Sequence, residues 1–178
     1  MEPLKALFFE HTLRHWHFEE LVRASGMSRE RVNHYLKELH KEHFLGHVKP
    51  RGKRPYFIAR AEKADFRIQK RLYGLHLLER SGLFAHLLSL NDLKTAILFG
   101  SFSRGDWGSS SDVDLFLYGD DSLFERGAFE SRLGRPLQVF SFGQAQEAKR
   151  LEPAVLRNIA QGFTIKGNLE PLQVKIHA

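Results

Sequence analysis

The chain has no cysteine in its 178 residues, which excludes disulfides and thiolate metal centres. It also lacks any apolar run long enough for a membrane-spanning helix, and its N-terminus shows no signal-peptide core. These absences predict a soluble, cytoplasmic protein with no membrane partner. Internal repeats and low-complexity tracts are missing as well. Aspartate is absent from the first 60 residues, where twelve Lys and Arg face seven Glu, a net +5. The remaining residues carry fifteen cations against fourteen anions, a net +1. A hydrophobic content of 42% supports a packed core. The charge imbalance separates two jobs, the first of which involves a polyanion.

The basic block reads as three helices and a hairpin. Leu4, Leu7 and Phe8 repeat at helical spacing over 3–13, and a short helix over 18–24 turns Leu21 and Val22 inward. Ser25-Gly26-Met27 forms a tight turn and Ser28 an N-cap. Val32, Tyr35, Leu36 and Leu39 then make an i, i+3, i+4, i+7 stripe over 29–42. Strands are expected over 44–48 and 56–60. The turn between them, Lys49-Pro50-Arg51-Gly52-Lys53-Arg54, carries four cations. Residues 1–60 thus resemble a winged helix-turn-helix domain. That resemblance implies duplex DNA as a partner, with the third helix in the major groove. Arg29, Arg31, Asn33, His34 and Lys37 would then approach base edges. Arg51, Lys53 and Arg54 would touch phosphate. Such domains also form dimers, so a homodimer is a further expectation.

Seven of the ten histidines lie in the first 47 residues. His15-x-His17 and His40-x-x-His43 lack the cysteine or carboxylate partners of a metal site and read as surface or interface residues. Residues 61–92 read as a helical connector, with Phe66, Ile68, Leu72, Leu75 and Leu78 apolar in its long helix. Ser81-Gly82 breaks that helix before a second one over 83–90.

The chemistry-bearing pattern lies in residues 93–178. Ala96-Ile97-Leu98-Phe99 is an apolar strand that stops at Gly100. Gly100 permits a sharp turn and close approach of a phosphate. Ser101 caps a short helix whose free N–H groups attract anions, and Arg104 sits one turn along. A loop over 105–111 ends at Ser111. Asp112-Val113-Asp114 then opens an alternating strand, so the two carboxylates share one face and Val113, Leu115 and Leu117 the other. Paired carboxylates without softer ligands suit Mg²⁺ on a substrate phosphate. Helices are expected over 123–132 and 144–161, with a short last strand before Gly167.

Gly100-Ser101, ten residues, then Asp112-x-Asp114 resembles the minimal nucleotidyltransferases of the polymerase-beta-like superfamily, over about residues 94–167. The whole chain is then an α/β (α+β) protein: a winged helix-turn-helix, a helical connector, and a polymerase-beta-like domain with a small mixed sheet. The resemblance implies that Asp112 and Asp114 are catalytic and hold Mg²⁺ (or Mn²⁺). Gly100, Ser101, Arg104 and Ser111 would hold a nucleoside triphosphate. It implies transfer of a nucleoside monophosphate to a hydroxyl, with pyrophosphate released. Some relatives modify a small helical toxin, so a protein acceptor is an expectation. The family's third carboxylate falls at Gln138, an amide with no charge and no basicity. Asp106, Asp120 and Asp121 read as turn formers rather than replacements. An alternative reading is a winged-helix regulator that senses nucleotide or metal and has lost transfer.

Overall fold

The computed structural model describes residues 2–144, 147, 151–169 and 172. The chain divides into two compact units. One holds the residues up to Lys70 together with Trp107–Ser109; the other holds Arg71–Asp106 and the chain from Ser110 onward. Among the described residues no helix is long and apolar enough to cross a membrane.

The first unit contains α1 (Glu2–Glu10), α2 (Phe18–Ser25), α3 (Arg29–Lys41), β1 (Leu45–Val48) and β2 (Tyr56–Ala59). Gly26 takes φ 65° at the end of α2, a left-handed turn that an L side chain resists. The Ser28 side chain accepts from the Arg31 N–H and starts α3. The α3 stripe buries Val32, Leu36 and Leu39, while Tyr35 stays half-buried. β1 and β2 pair antiparallel from Leu45↔Ala59 to Val48↔Tyr56. An unanticipated bridge joins Trp16 to Phe57, with both N–H groups donating at 2.8–2.9 Å. It sets a further extended segment beside β2. Leu4, Phe8, Phe9, Trp16, Phe44 and Phe66 form an aromatic-rich core with edge-on ring contacts such as Phe9–Phe44 at 5.4 Å.

The long helix α4 (Ala64–Arg80) carries the division between the units. Its apolar residues do not all face inward. Phe66 and Leu78 are buried, whereas Ile68 and Leu72 are 57% and 61% exposed.

Trp107 is fully buried, although composition alone marks 105–111 as loop. It packs in the first unit, where its Nε1–H donates to the Lys70 carbonyl at 3.3 Å and the Lys70 ammonium lies 5.0 Å from its ring centroid. Ser109 N–H donates to the Glu10 carbonyl at 3.0 Å. Trp107→Ala is expected to lower stability by about 3–5 kcal/mol, the cost of truncating a large buried ring. Denaturant titration of the full chain measures it.

The second unit continues with α5 (Leu83–Ser89), β3 (Leu93–Phe99), α6 (Gly100–Arg104), β4 (Val113–Gly119), α7 (Arg126–Leu133), β5 (Leu137–Phe142), α8 (Pro153–Ala160) and β6 (Phe163–Lys166). Part of the helix expected over 144–161 lies outside the described residues; within them α8 begins with Pro153 in its first turn, where the missing N–H costs nothing. The strands form one mixed sheet in the order β5-β4-β3-β6. β3 runs antiparallel to β4 and β6, and β4 runs parallel to β5. Leu115, Phe116 and Leu117 are all fully buried, so β4 is covered on both faces. On one face Ile97, Phe99 and Phe116 pack with Ile159 of α8, and Phe140 and Phe142 of β5 join them.

Candidate functional site

The sheet brings the carboxylate pair and the Gly-Ser turn to one place. β3 ends at Phe99, and α6 starts at the next residue. Phe99 pairs with Asp114 in the antiparallel ladder, and Asp114 pairs with Gln138 in the parallel one. Side chains at paired positions share a face, so Phe99, Asp114 and Gln138 form a row across three strands. Along β4 that face continues from Asp114 into Phe116 and Tyr118, which belong to or border the apolar cluster. The site therefore lies where an apolar sheet face runs out at its polar end.

Gly100 takes φ 68°, and the Asp114 carboxylate occupies the space its side chain would fill. A Cβ there would lie 1.9 Å from Asp114 Oδ2. Glycine is thus required twice, by the backbone angle and by the approach of the carboxylate. The Ser101 N–H donates to Asp114. Burial pushes the Asp114 carboxyl above the ordinary aspartate range, and the Asp112 charge pushes it further. The Arg104 charge and the Ser101 N–H act in the opposite direction and do not cancel the rise. Asp112 is exposed just before β4, while Asp114 is half-buried.

Arg104 lies at the end of α6, exposed, with its Nε donating to Asp106 Oδ2 at 3.1 Å. Asp106 is thereby engaged as an ion-pair partner. Ser111 sits immediately before the pair, and its carbonyl accepts from Arg135 Nη1 at 3.3 Å. The Arg135 guanidinium also lies 5.4 Å from the Phe102 ring centroid. Sequence reasoning passed over Arg135. Its only signal is a cation beside Pro136 at the entrance to β5, where the Pro136 carbonyl accepts from Val113 N–H at 3.0 Å. Asp120 stands beyond the far end of β4, six residues from Asp114, or about 20 Å at strand rise. Its carboxylate accepts from Ser122 N–H at 2.8 Å, a local turn bond.

The donor set fits a magnesium ion held partly by substrate. Among the described residues no group of three or more His, Cys, Asp or Glu is placed to hold a metal. Mg²⁺ needs only one or two protein carboxylates when phosphate oxygens and water complete its shell. Asp112 and Asp114 provide two, close enough for the charge of one to disfavour ionisation of the other. Gln138 adds a neutral amide in the same row.

In the first unit Arg29, Arg31, Asn33, His34 and Lys37 are exposed along α3. Arg29 pairs with Glu19 at 2.5 Å, and His34 lies 3.4 Å from Glu38. Arg51, Lys53 and Arg54 are exposed in the β1–β2 connection. His17 and His40 are engaged locally through Nδ1, with the Pro55 and Leu45 carbonyls at 2.8 and 3.3 Å.

Residues 82–166 match the family model of the nucleotidyltransferase domain, which spans just under half of the chain. Over these residues the chain is similar to the nucleotidyltransferase domain family. Two solved structures are similar to the chain. One is a toxin-antitoxin with AMP-PNP, at 19% identity and TM-score 0.33, covering 56% of this chain and 75% of that one. Another is a mutant of the toxin-antitoxin MntA-HpeT, at 16% identity and TM-score 0.34, covering 58% and 78%. No curated protein matches the chain.

Proposed function

We propose that the protein is a Mg²⁺- or Mn²⁺-dependent nucleotidyltransferase that moves a nucleoside monophosphate from a nucleoside triphosphate to a hydroxyl acceptor. The observation that carries this reading is the fit of the Asp114 carboxylate against the bare Cα of Gly100, which makes turn and carboxylate one construction. Asp112 and Asp114 hold the metal. The backbone N–H groups at the start of α6 and the Ser101 hydroxyl hold the phosphates, with Arg104 and Ser111 at the edges. When bound, the metal neutralises charge on the triphosphate and on the departing pyrophosphate. Gln138 cannot take the acceptor's proton, so this chain contributes positioning and charge rather than a third base. The family resemblance suggests a hydroxyl of a small helical toxin as acceptor.

The first unit is read as a winged helix-turn-helix on duplex DNA. The exposed row on α3 would face base edges, and Arg51, Lys53 and Arg54 the backbone. Binding that weakens steeply with salt supports phosphate contact. Binding indifferent to salt contradicts it.

One observation favours a second reading. Gln138 is in register with Asp114, at the place where a third ligand would stand. A regulator that binds nucleotide without transferring it needs only the other two. Incubation with Mg²⁺ and each labelled nucleoside triphosphate separates the readings. Pyrophosphate release that is lost in Asp112→Asn supports the enzyme. Gln138→Asp is then expected to raise release by roughly tenfold or more, because a charged ligand joins the site. A silent wild type with an active Gln138→Asp supports the regulator. Silence of all three contradicts transfer.

A further inference from the structure

A half-open pocket lies within the first unit. It has a volume of about 540 Å³ and is lined by His15, His17, Pro50, Lys53, Arg54 and Tyr56. No carboxylate is among its lining residues. Lys53 and Arg54 are exposed and bring two fixed positive charges to it. Those charges argue against a metal cation on the two histidines, and the His17 Nδ1 is already engaged with the Pro55 carbonyl at 2.8 Å. The cavity is built for an anion.

Its second feature is flat and aromatic. The His15 imidazole stacks on the Tyr56 ring, with centroids 4.0 Å apart and planes 13° from parallel. Tyr56 is half-buried on β2, whereas His15 is exposed. The pair thus presents a flat π-surface beside two cations. Duplex DNA keeps its bases stacked on one another and makes no use of such a surface. An unpaired nucleotide uses both parts at once, base against ring and phosphate against cation. A cavity of this volume is also of the size that takes one small polar ligand.

We propose that this cavity binds an unpaired nucleotide, its base stacked on His15 and its phosphate on Lys53 and Arg54. The inference is independent of the nucleotidyltransferase reading, and its test removes that site. Fluorescence anisotropy is measured on the full chain carrying Asp112→Asn, in EDTA and low salt. The probes are a short labelled single-stranded oligonucleotide and the duplex of the same sequence.

Both probes are expected to bind, the duplex without using the His15 face. His15→Ala is expected to weaken single-strand binding by roughly tenfold and leave the duplex unchanged, the size of one base–aromatic stack. His15→Phe, which keeps the flat face, restores affinity. Lys53→Ala with Arg54→Ala weakens both probes and flattens the salt dependence. AMP that competes with the strand assigns the cavity to a free nucleotide, and AMP that fails to compete assigns it to a strand; both outcomes uphold the proposal. Single-strand affinity unchanged in His15→Ala overturns it. So does His15→Phe binding as weakly as His15→Ala.

Discussion

Gly100→Ala is expected to cripple the candidate site while leaving the fold largely in place. The added Cβ would lie 1.9 Å from Asp114 Oδ2, 2.7 Å from Cγ and 3.1 Å from Cβ. No rotation of so short a side chain clears all three atoms without moving the carboxylate. The backbone at φ 68° adds strain of about 1–3 kcal/mol for any residue with a side chain. The carboxylate has two escapes. It can swing away from the turn and give up the Ser101 N–H, or the start of α6 can shift and carry that N–H with it. Either escape separates the proposed phosphate-binding turn from the proposed metal-binding carboxylate. A displacement near 1 Å at a positioned group costs on the order of 100-fold. The expected result is therefore a fall of about that size in Mg²⁺-dependent nucleotide affinity, with a loss of only a few degrees in Tm. Calorimetric titration and thermal melting read the two effects separately. Unchanged affinity would mean that turn and carboxylate work independently.

Asp114→Asn is expected to trade activity for stability. Removing one of the two proposed metal ligands and its charge costs several kcal/mol of charge stabilisation, or on the order of 1000-fold in pyrophosphate release. The same change stabilises the metal-free fold, and the sign follows from the direction of the Asp114 shift. Its carboxyl titrates above the ordinary value of 3.8, chiefly through burial and then through Asp112. A raised carboxyl favours the folded state while it is protonated. That advantage is complete below the unfolded value and is lost as pH rises through the folded one. Asparagine does not titrate. The Tm of Asp114→Asn relative to the unaltered protein should therefore climb with pH from the ordinary aspartate value through the raised one, then level off. Saturating Mg²⁺ should reverse the difference, because only the unaltered site binds it. A Tm difference independent of pH would contradict the shift.

The pattern of the candidate site was largely legible because its logic is local. A strand that stops at Gly100, a cap at Ser101 and two carboxylates spaced i, i+2 each declare themselves within a few residues. Placing Gln138 beside Asp114 needed a pairing register, which the family pattern anticipated and the parallel β4–β5 ladder now displays. Trp107 was hidden for the opposite reason. A lone aromatic among Gly, Ser and Asp carries no period, and its partner Lys70 lies far away in sequence. Arg135 was missed because its contacts, the Ser111 carbonyl and the Phe102 ring, come together only after the sheet forms. The apolar residues of α4 left burial open in a third way. Periodicity marks Ile68 and Leu72 as apolar, but only tertiary packing decides that Phe66 and Leu78 are the buried ones. His15 and Tyr56 stand 41 positions apart by their numbering, so their stack was invisible until the Trp16–Phe57 bridge aligned the two segments.

The most direct test of the account is calorimetric titration of a non-hydrolysable nucleoside triphosphate into the full chain, with and without Mg²⁺, beside Asp112→Asn. Asp112 is exposed, so its replacement leaves the core untouched. The account predicts saturable binding that requires Mg²⁺ and is lost in the variant. Binding of equal strength in both proteins, or binding indifferent to Mg²⁺, would contradict a site built from the Gly100-Ser101 turn and the aspartate pair.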